Sequence, residues 1–99
     1  MLDEEFVEKL NGFQMVPHYL MSSYAYQFLN SQYMSDTAYD KLCVRLYAQY
    51  DLIQHQHKHL IDKEALKSTT GYYLKASEYP TIVKVAAQSL VDMVRTGDM

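Results

Sequence analysis

The sequence predicts an all-α protein, a single small domain of helical hairpins over residues 1–99 with about four to five helices. Three observations predict it. Apolar residues recur at three- and four-residue spacing in several separate stretches, the period of a helix with one buried face. Capping and stop residues fall at the ends of those stretches. The 99 residues are 48% hydrophobic with only 3 Gly and 2 Pro, which is enough apolar material for a core and too few breakers for a disordered or fibrous chain.

The first element is a short helix over Leu2 to Leu10. Asp3 is its candidate N-cap, acids fill its first turn, and Gly12 is placed to stop it. Leu2, Phe6, Val7 and Leu10 then share one face. Pro17, a favoured first-turn residue, predicts the start of a second helix running to about Asn30. Its buried stripe is Leu20, Met21, Tyr24, Ala25 and Phe28. Residues 30–34 read as a connecting loop, and Ser35 or Asp36 caps the third helix, where an acid also meets the positive end of the dipole. Tyr39, Leu42, Cys43, Leu46, Tyr47 and Tyr50 give that helix the cleanest period in the chain. Lys41, Arg45 and Gln49 fall on its solvated side.

Beyond it the third helix frays into His55, His57 and His59. Asp62 caps a short helix to about Lys67, closed through Ser68 to Gly71, and residues 71–79 read as loop or short strand. Pro80 opens a last helix to about Arg95, with Ile82, Val83, Ala86, Leu90, Met93 and Val94 as its core stripe and Gly97 as its stop. Val85, Ala87 and Val91 lie outside that stripe. So wide an apolar surface implies either a central helix or one packing on another subunit, and a homodimer is a candidate assembly for a chain this small.

Composition narrows the function classes. A formal net charge of −3 with no Lys/Arg run disfavours a nucleic-acid binder. No apolar run approaches the roughly 20 residues that cross a bilayer, and the acidic start (Asp3, Glu4, Glu5) lacks a signal-peptide plan. The single cysteine, Cys43, excludes an internal disulfide and falls within an apolar stripe, the setting of an inert thiol. A cytoplasmic location is the expectation. The 10 Tyr against 3 Phe and no Trp suit surfaces that are part apolar and part polar.

One segment carries a ligand signal. Tyr24-Ala25-Tyr26 ends the second helix, and Ser35-Asp36-Thr37-Ala38-Tyr39-Asp40-Lys41-Leu42 opens the third. Over residues 24–53 this hairpin resembles the small N-terminal nucleotide-recognition domain of bacterial NAD-dependent DNA ligases. The resemblance implies recognition of the nicotinamide mononucleotide half of NAD, with Tyr26, Asp36, Tyr39 and Asp40 at the family's ligand positions and Tyr19 and Gln27 at the rim. The chain departs from the family at Gln27, where a histidine is usual, and at Gln32, where the loop usually has a proline. It also lacks the adenylation domain and the nucleophilic Lys-x-Asp-Gly motif, so the resemblance implies binding of NMN or NAD and no ligase catalysis. Independently of the family, helical spacing sets Tyr26 nearly opposite the stripe of Leu20, Tyr24 and Phe28, with Tyr19 near it on the outer face. Asp36 and Asp40 stand one turn apart. The competing reading makes Asp36 a cap, Tyr39 a core residue and Asp40 a first-turn charge.

The chain also looks like a group of small uncharacterised bacteriophage proteins, through His57-Lys58-His59-Leu60-Ile61 and Thr70-Gly71-Tyr72-Tyr73. That likeness implies an accessory protein acting in the host cytoplasm, and an alternative function as a protein-interaction module that modulates a host protein through exposed tyrosines. His55, His57 and His59 are weak candidates for a metal site, since an extended segment presents three imidazoles together. On a helix only His55 and His59 share a face, and the alternative is a solvated helix end.

Overall fold

The computed structural model describes residues 1–67 and 74–97 as five α-helices joined by loops and 3-10 turns, with no strand among the described residues. The helices are α1 (Glu4–Glu8), α2 (Gly12–Phe28), α3 (Asp36–Gln49), α4 (Lys63–Lys67) and α5 (Thr81–Thr96). The all-α hairpin architecture expected from the sequence is the one observed. Three-residue 3-10 turns over Tyr50–Leu52, Lys58–Leu60 and Ala76–Glu78 occupy the connections. The expected closure over Ser68 to Gly71 and the Gly71–Tyr73 stretch lie outside the described residues.

Asp3 caps α1 by accepting a hydrogen bond from the Phe6 amide. Gly12 does not stop this helix but opens the next one. Asn11 Oδ1 accepts from the Gln14 amide at 2.8 Å while Gln14 Oε1 accepts from the Asn11 amide at 3.0 Å. This reciprocal capping box sets the start of α2 five residues before Pro17. Pro17 thus lies inside the helix, where it removes one internal hydrogen bond.

α2 is the central helix, packing on both α3 and α5. Met15, Val16, Tyr19, Leu20, Met21 and Ala25 are all buried, and so are Ser22 and Ser23. With neighbours on two sides, α2 has a far wider buried face than the expected stripe. Tyr19, placed by helical spacing on the outer face, is only 1% exposed. Phe28, placed in the stripe, is 40% exposed and packs by its edge on Tyr79.

The loop after α2 turns at Asn30, whose φ of +49° lies in the left-handed region that asparagine tolerates. It then dives inward, burying Tyr33 and Met34. The N-terminal segment bonds to it on both sides of Leu2: the Leu2 amide donates to the Tyr33 carbonyl at 3.0 Å, and the Ser35 amide donates to the Leu2 carbonyl at 2.8 Å. Ser35, the cap of α3, accepts from the Ala38 amide at 3.1 Å.

Leu42, Cys43 and Leu46 of α3 are fully buried, as its period predicts. The opposite flank is not left to solvent. α1 lies against it, Lys41 pairs with Glu8, and the Arg45 guanidinium donates to the Val7 carbonyl at the end of α1. Val7 itself is fully buried. α5 is rotated relative to its expected stripe. Val83, Ala87 and Val91 face α2, whereas Ile82 is 72% and Met93 42% exposed. Gly97 ends the helix with φ of +82°, the conformation for which glycine is favoured.

Candidate functional site

The six residues at the ligase-like positions divide into an outward set and an inward set. Tyr26, near the end of α2, is 62% exposed. Asp36, the first residue of α3, is exposed and accepts a hydrogen bond from Gln32 Nε2 at 2.7 Å. Asp40 follows one turn later, also exposed. A surface depression of about 320 Å³ lies at the end of α2 and the loop after it, lined by Met1, Tyr26, Asn30, Ser31 and Gln32. Tyr26 is thus one wall of the depression, and Gln32 is another that leads to Asp36.

The inward set has structural partners. Tyr39 is half-buried and stacks nearly parallel on Tyr19, with ring centroids 6.1 Å apart and planes 16° apart. Burial raises the pKa of its phenol, with the neighbouring Cys43 and Tyr19 adding to the rise, so the group stays neutral. Gln27, expected at the rim, instead spans to the segment before α5. Its Nε2 donates to the Leu74 carbonyl at 3.1 Å and its Oε1 accepts from the Tyr79 hydroxyl at 3.3 Å. Tyr19 and Gln27 are therefore displaced from the rim by packing that a single helix does not reveal.

Four participants escape a reading of the sequence. Gln32, a departure from the ligase pattern, orients the Asp36 carboxylate. Ser31 and Asn30 also line the depression. Arg95, at the far end of α5, reaches back to donate to the Ser31 hydroxyl, which itself donates to the Leu29 carbonyl. The link spans 64 residues and depends on how α2 and α5 cross, which no local spacing encodes.

The arrangement has a defined chemistry. Tyr26 offers a flat apolar face, Gln32 and Asp36 offer acceptors, and Arg95 places a cation beside Ser31. The histidines do not extend it. His55 packs its ring on Phe13 at 4.4 Å and spends Nδ1 as acceptor for the His57 amide. His59 is exposed, and among the described residues no three His, Cys, Asp or Glu side chains converge in a way that could hold a metal ion. No described helix is long and apolar enough to cross a membrane. Compared with family models, curated proteins and solved structures, the chain finds no match.

Proposed function

We propose that the chain is a small non-catalytic cytoplasmic binding protein that takes the nicotinamide mononucleotide half of NAD on the Tyr26–Gln32–Asp36 face. The observation that carries this reading is the exposed Tyr26 ring lining a depression together with Gln32, whose side chain also holds the Asp36 carboxylate. A cationic nicotinamide ring is attracted to the face of a tyrosine. The carboxylate oxygen of Asp36 not engaged by Gln32 accepts from a ribose hydroxyl or the carboxamide. Arg95, at the Ser31 edge, supplies a cation for the phosphate. Tyr39 and Tyr19 act from behind by fixing α2 against α3.

A depression open on one side encloses little of the ligand, so the affinity expected is weak, about millimolar to high micromolar. The test is an amide-shift NMR titration with nicotinamide mononucleotide, NAD and AMP. Saturable shifts at Tyr26, Gln32 and Asp36 with the first two ligands, absent with AMP and absent in Tyr26→Ala, are the expected result. An unchanged spectrum at several millimolar ligand discards the reading.

A second reading, the protein-interaction module, is favoured by a different observation. α5 keeps Ile82, Val85 and Met93 exposed on one side, an apolar stripe larger than isolated surface residues require. Retention of the protein's shift pattern with nucleotide, together with line broadening along α5 in the presence of a partner, distinguishes it.

A further inference from the structure

We infer that α5 is a self-association helix, pairing antiparallel with α5 of a second copy across a two-fold axis at the level of Gln88. This inference rests on the interaction-module reading and names the partner. Ile82 (72% exposed), Val85 (61%), Ser89 and Met93 (42%) follow one another at three- and four-residue steps along the outer side of the helix. The opposite side, Val83, Ala87 and Val91, is already buried against α2. α5 therefore carries two apolar faces, of which the fold covers one.

The polar flank of the outer face identifies the occupant. Lys84 and Asp92 stand four residues before and after Gln88, all on the same side of the exposed stripe. Neither forms an ion pair among the described residues. Gln88 Nε2 donates to Asp92 Oδ1 at 3.0 Å, which holds that carboxylate out along the flank. Eight residues of helix separate Lys84 from Asp92 by about 12 Å, too far for them to meet within one helix. In an antiparallel pair related by a two-fold axis, however, residues equally distant from the axis face each other along the same flank. Lys84 of each copy then meets Asp92 of the other, giving two identical ion pairs.

The same register suits the apolar stripe. Ile82 of one copy falls within one residue's rise, about 1.5 Å, of Met93 of the other, so these two exposed side chains cover each other at both ends. Near the axis Val85 packs beside Ser89 of the second copy, and the small serine lets the backbones approach. A parallel pair places the charged flanks of the two copies on opposite sides of the interface, so Lys84 and Asp92 gain no partner there. The charge order thus selects both the partner and its direction. One helix per copy buries less than the ~800 Å² per partner of a standard interface, so the dimer is expected to be weak and concentration-dependent.

Sedimentation velocity of the full chain over a wide concentration range tests this, with helicity checked by circular dichroism for each variant. The expected result is a monomer–dimer equilibrium. Lys84→Glu or Asp92→Lys alone sets two like-charge contacts in the interface and weakens it about tenfold, while the double charge swap Lys84→Glu/Asp92→Lys restores it. Val85→Asp abolishes association with the fold intact. Gln88→Cys, alone among cysteine substitutions on this flank, yields a covalent dimer on mild oxidation. A chain that stays monomeric to millimolar concentration overturns the inference. A dimer whose charge swap fails to restore affinity overturns the antiparallel register. Neither outcome touches the nucleotide site, because Tyr26 and Asp36 lie on other elements.

Discussion

His18 Nδ1 lies 2.8 Å from the phenol oxygen of Tyr33, and the same phenol donates to the His18 carbonyl at 3.1 Å. With the phenol hydrogen committed to the carbonyl, the imidazole donates from Nδ1, which fixes the neutral tautomer. Phe6 of α1 meets the ring edge-on at 5.1 Å, so this histidine joins α1, α2 and the loop before α3. Burial holds its pKa below the ordinary histidine value. The folded protein then binds fewer protons than the unfolded chain, and the stabilisation, fully present above the unfolded value of about 6.5, is lost as pH falls through the folded one. Urea unfolding at pH 7.5 and pH 5 is expected to show lower stability at pH 5, with a smaller difference in His18→Gln. The pKa of His55 is also lowered, by burial and by the adjacent His57, but its ring packs only on Phe13 and His57 and joins no two helices, so it contributes less. His55→Gln is the control, and an equal loss of slope in the two variants would refute the assignment to His18.

Removing the phenol alone tests the bond itself. Tyr33→Phe leaves a half-buried imidazole N–H and the His18 carbonyl without their partner, at a cost of about 1–3 kcal/mol. The denaturation midpoint should fall with an unchanged m-value.

Arg45 has a comparable role on the other side of the molecule. Its guanidinium donates to the Val7 carbonyl, which also accepts from the Leu10 amide at 3.1 Å as the chain leaves α1. The five residues of α1 are too few to be stable alone, so this bond and the apolar contacts of Val7 hold the helix down. Arg45→Ala is expected to cost about 1.5–3 kcal/mol, as for a charged donor. Amide exchange should speed up over α1 while α5 remains protected. Uniform acceleration throughout the chain would show instead that α1 unfolds only with the whole domain.

Gly12 is required by a close approach. A Cβ there would stand 2.9 Å from Cγ1 of Ile53, a buried side chain with little room to retreat. Alanine would gain helix propensity at a first-turn position, but the overlap outweighs the gain. Gly12→Ala should destabilise by about 1 kcal/mol, and pairing it with Ile53→Val should recover part of the loss. A stabilised Gly12→Ala would show that Ile53 shifts freely.

These positions mark how far the sequence reaches. The caps Asp3 and Ser35, the loop over residues 30–34, the stripe of α3 and the stop at Gly97 depend on neighbours within a turn or two, and all are where local chemistry puts them. The capping box of Asn11 and Gln14 is equally local, but Pro17 offers a competing start and Gly12 resembles a stop, so the expected start falls five residues late. Tyr19, Lys41 and Arg45 depend on which helix lies across them, which no periodicity encodes. In α5 the apolar surface is so wide that several stripes fit equally, and contact with α2 selects Val83, Ala87 and Val91. The site divides the same way. The outward direction of Tyr26 and the first-turn position of Asp36 follow from their own helices, whereas the inward roles of Tyr39 and Gln27 need the residues they meet from afar.

Cys43 is fully buried on α3, and burial pushes its thiol up to about 12, with Tyr39 moderating the rise. Only the thiolate reacts with disulfide reagents. The native protein at pH 8 should therefore resist Ellman's reagent, with labelling that follows the unfolding equilibrium as urea is added. Rapid labelling without denaturant would mean that α3 opens locally.

Tyr26 and Tyr39 occupy matching positions in the ligase-like pattern, yet their surroundings assign them opposite costs. Tyr26 is 62% exposed and lines the depression, so Tyr26→Ala should change stability by no more than about 0.5 kcal/mol. Tyr39 stacks on the buried Tyr19 and packs against the core, so Tyr39→Ala opens a cavity between α2 and α3 and should cost about 3–5 kcal/mol. Gln27→Ala should fall between them, at about 1–3 kcal/mol, because the Leu74 carbonyl and the Tyr79 hydroxyl lose a partner. Asp36→Asn keeps the cap geometry set by Ser35 and removes only the charge, a loss of about 0.3–1 kcal/mol. Thermal melts of the four variants order them by structural role, and nucleotide titrations of those that stay folded order them by binding. A true ligand face requires the two orders to differ, with Tyr26→Ala and Asp36→Asn mild in the melts and severe in the titrations. Parallel orders would mean that the variants lose binding only because they unfold, and Tyr26 would then be a surface tyrosine without a ligand.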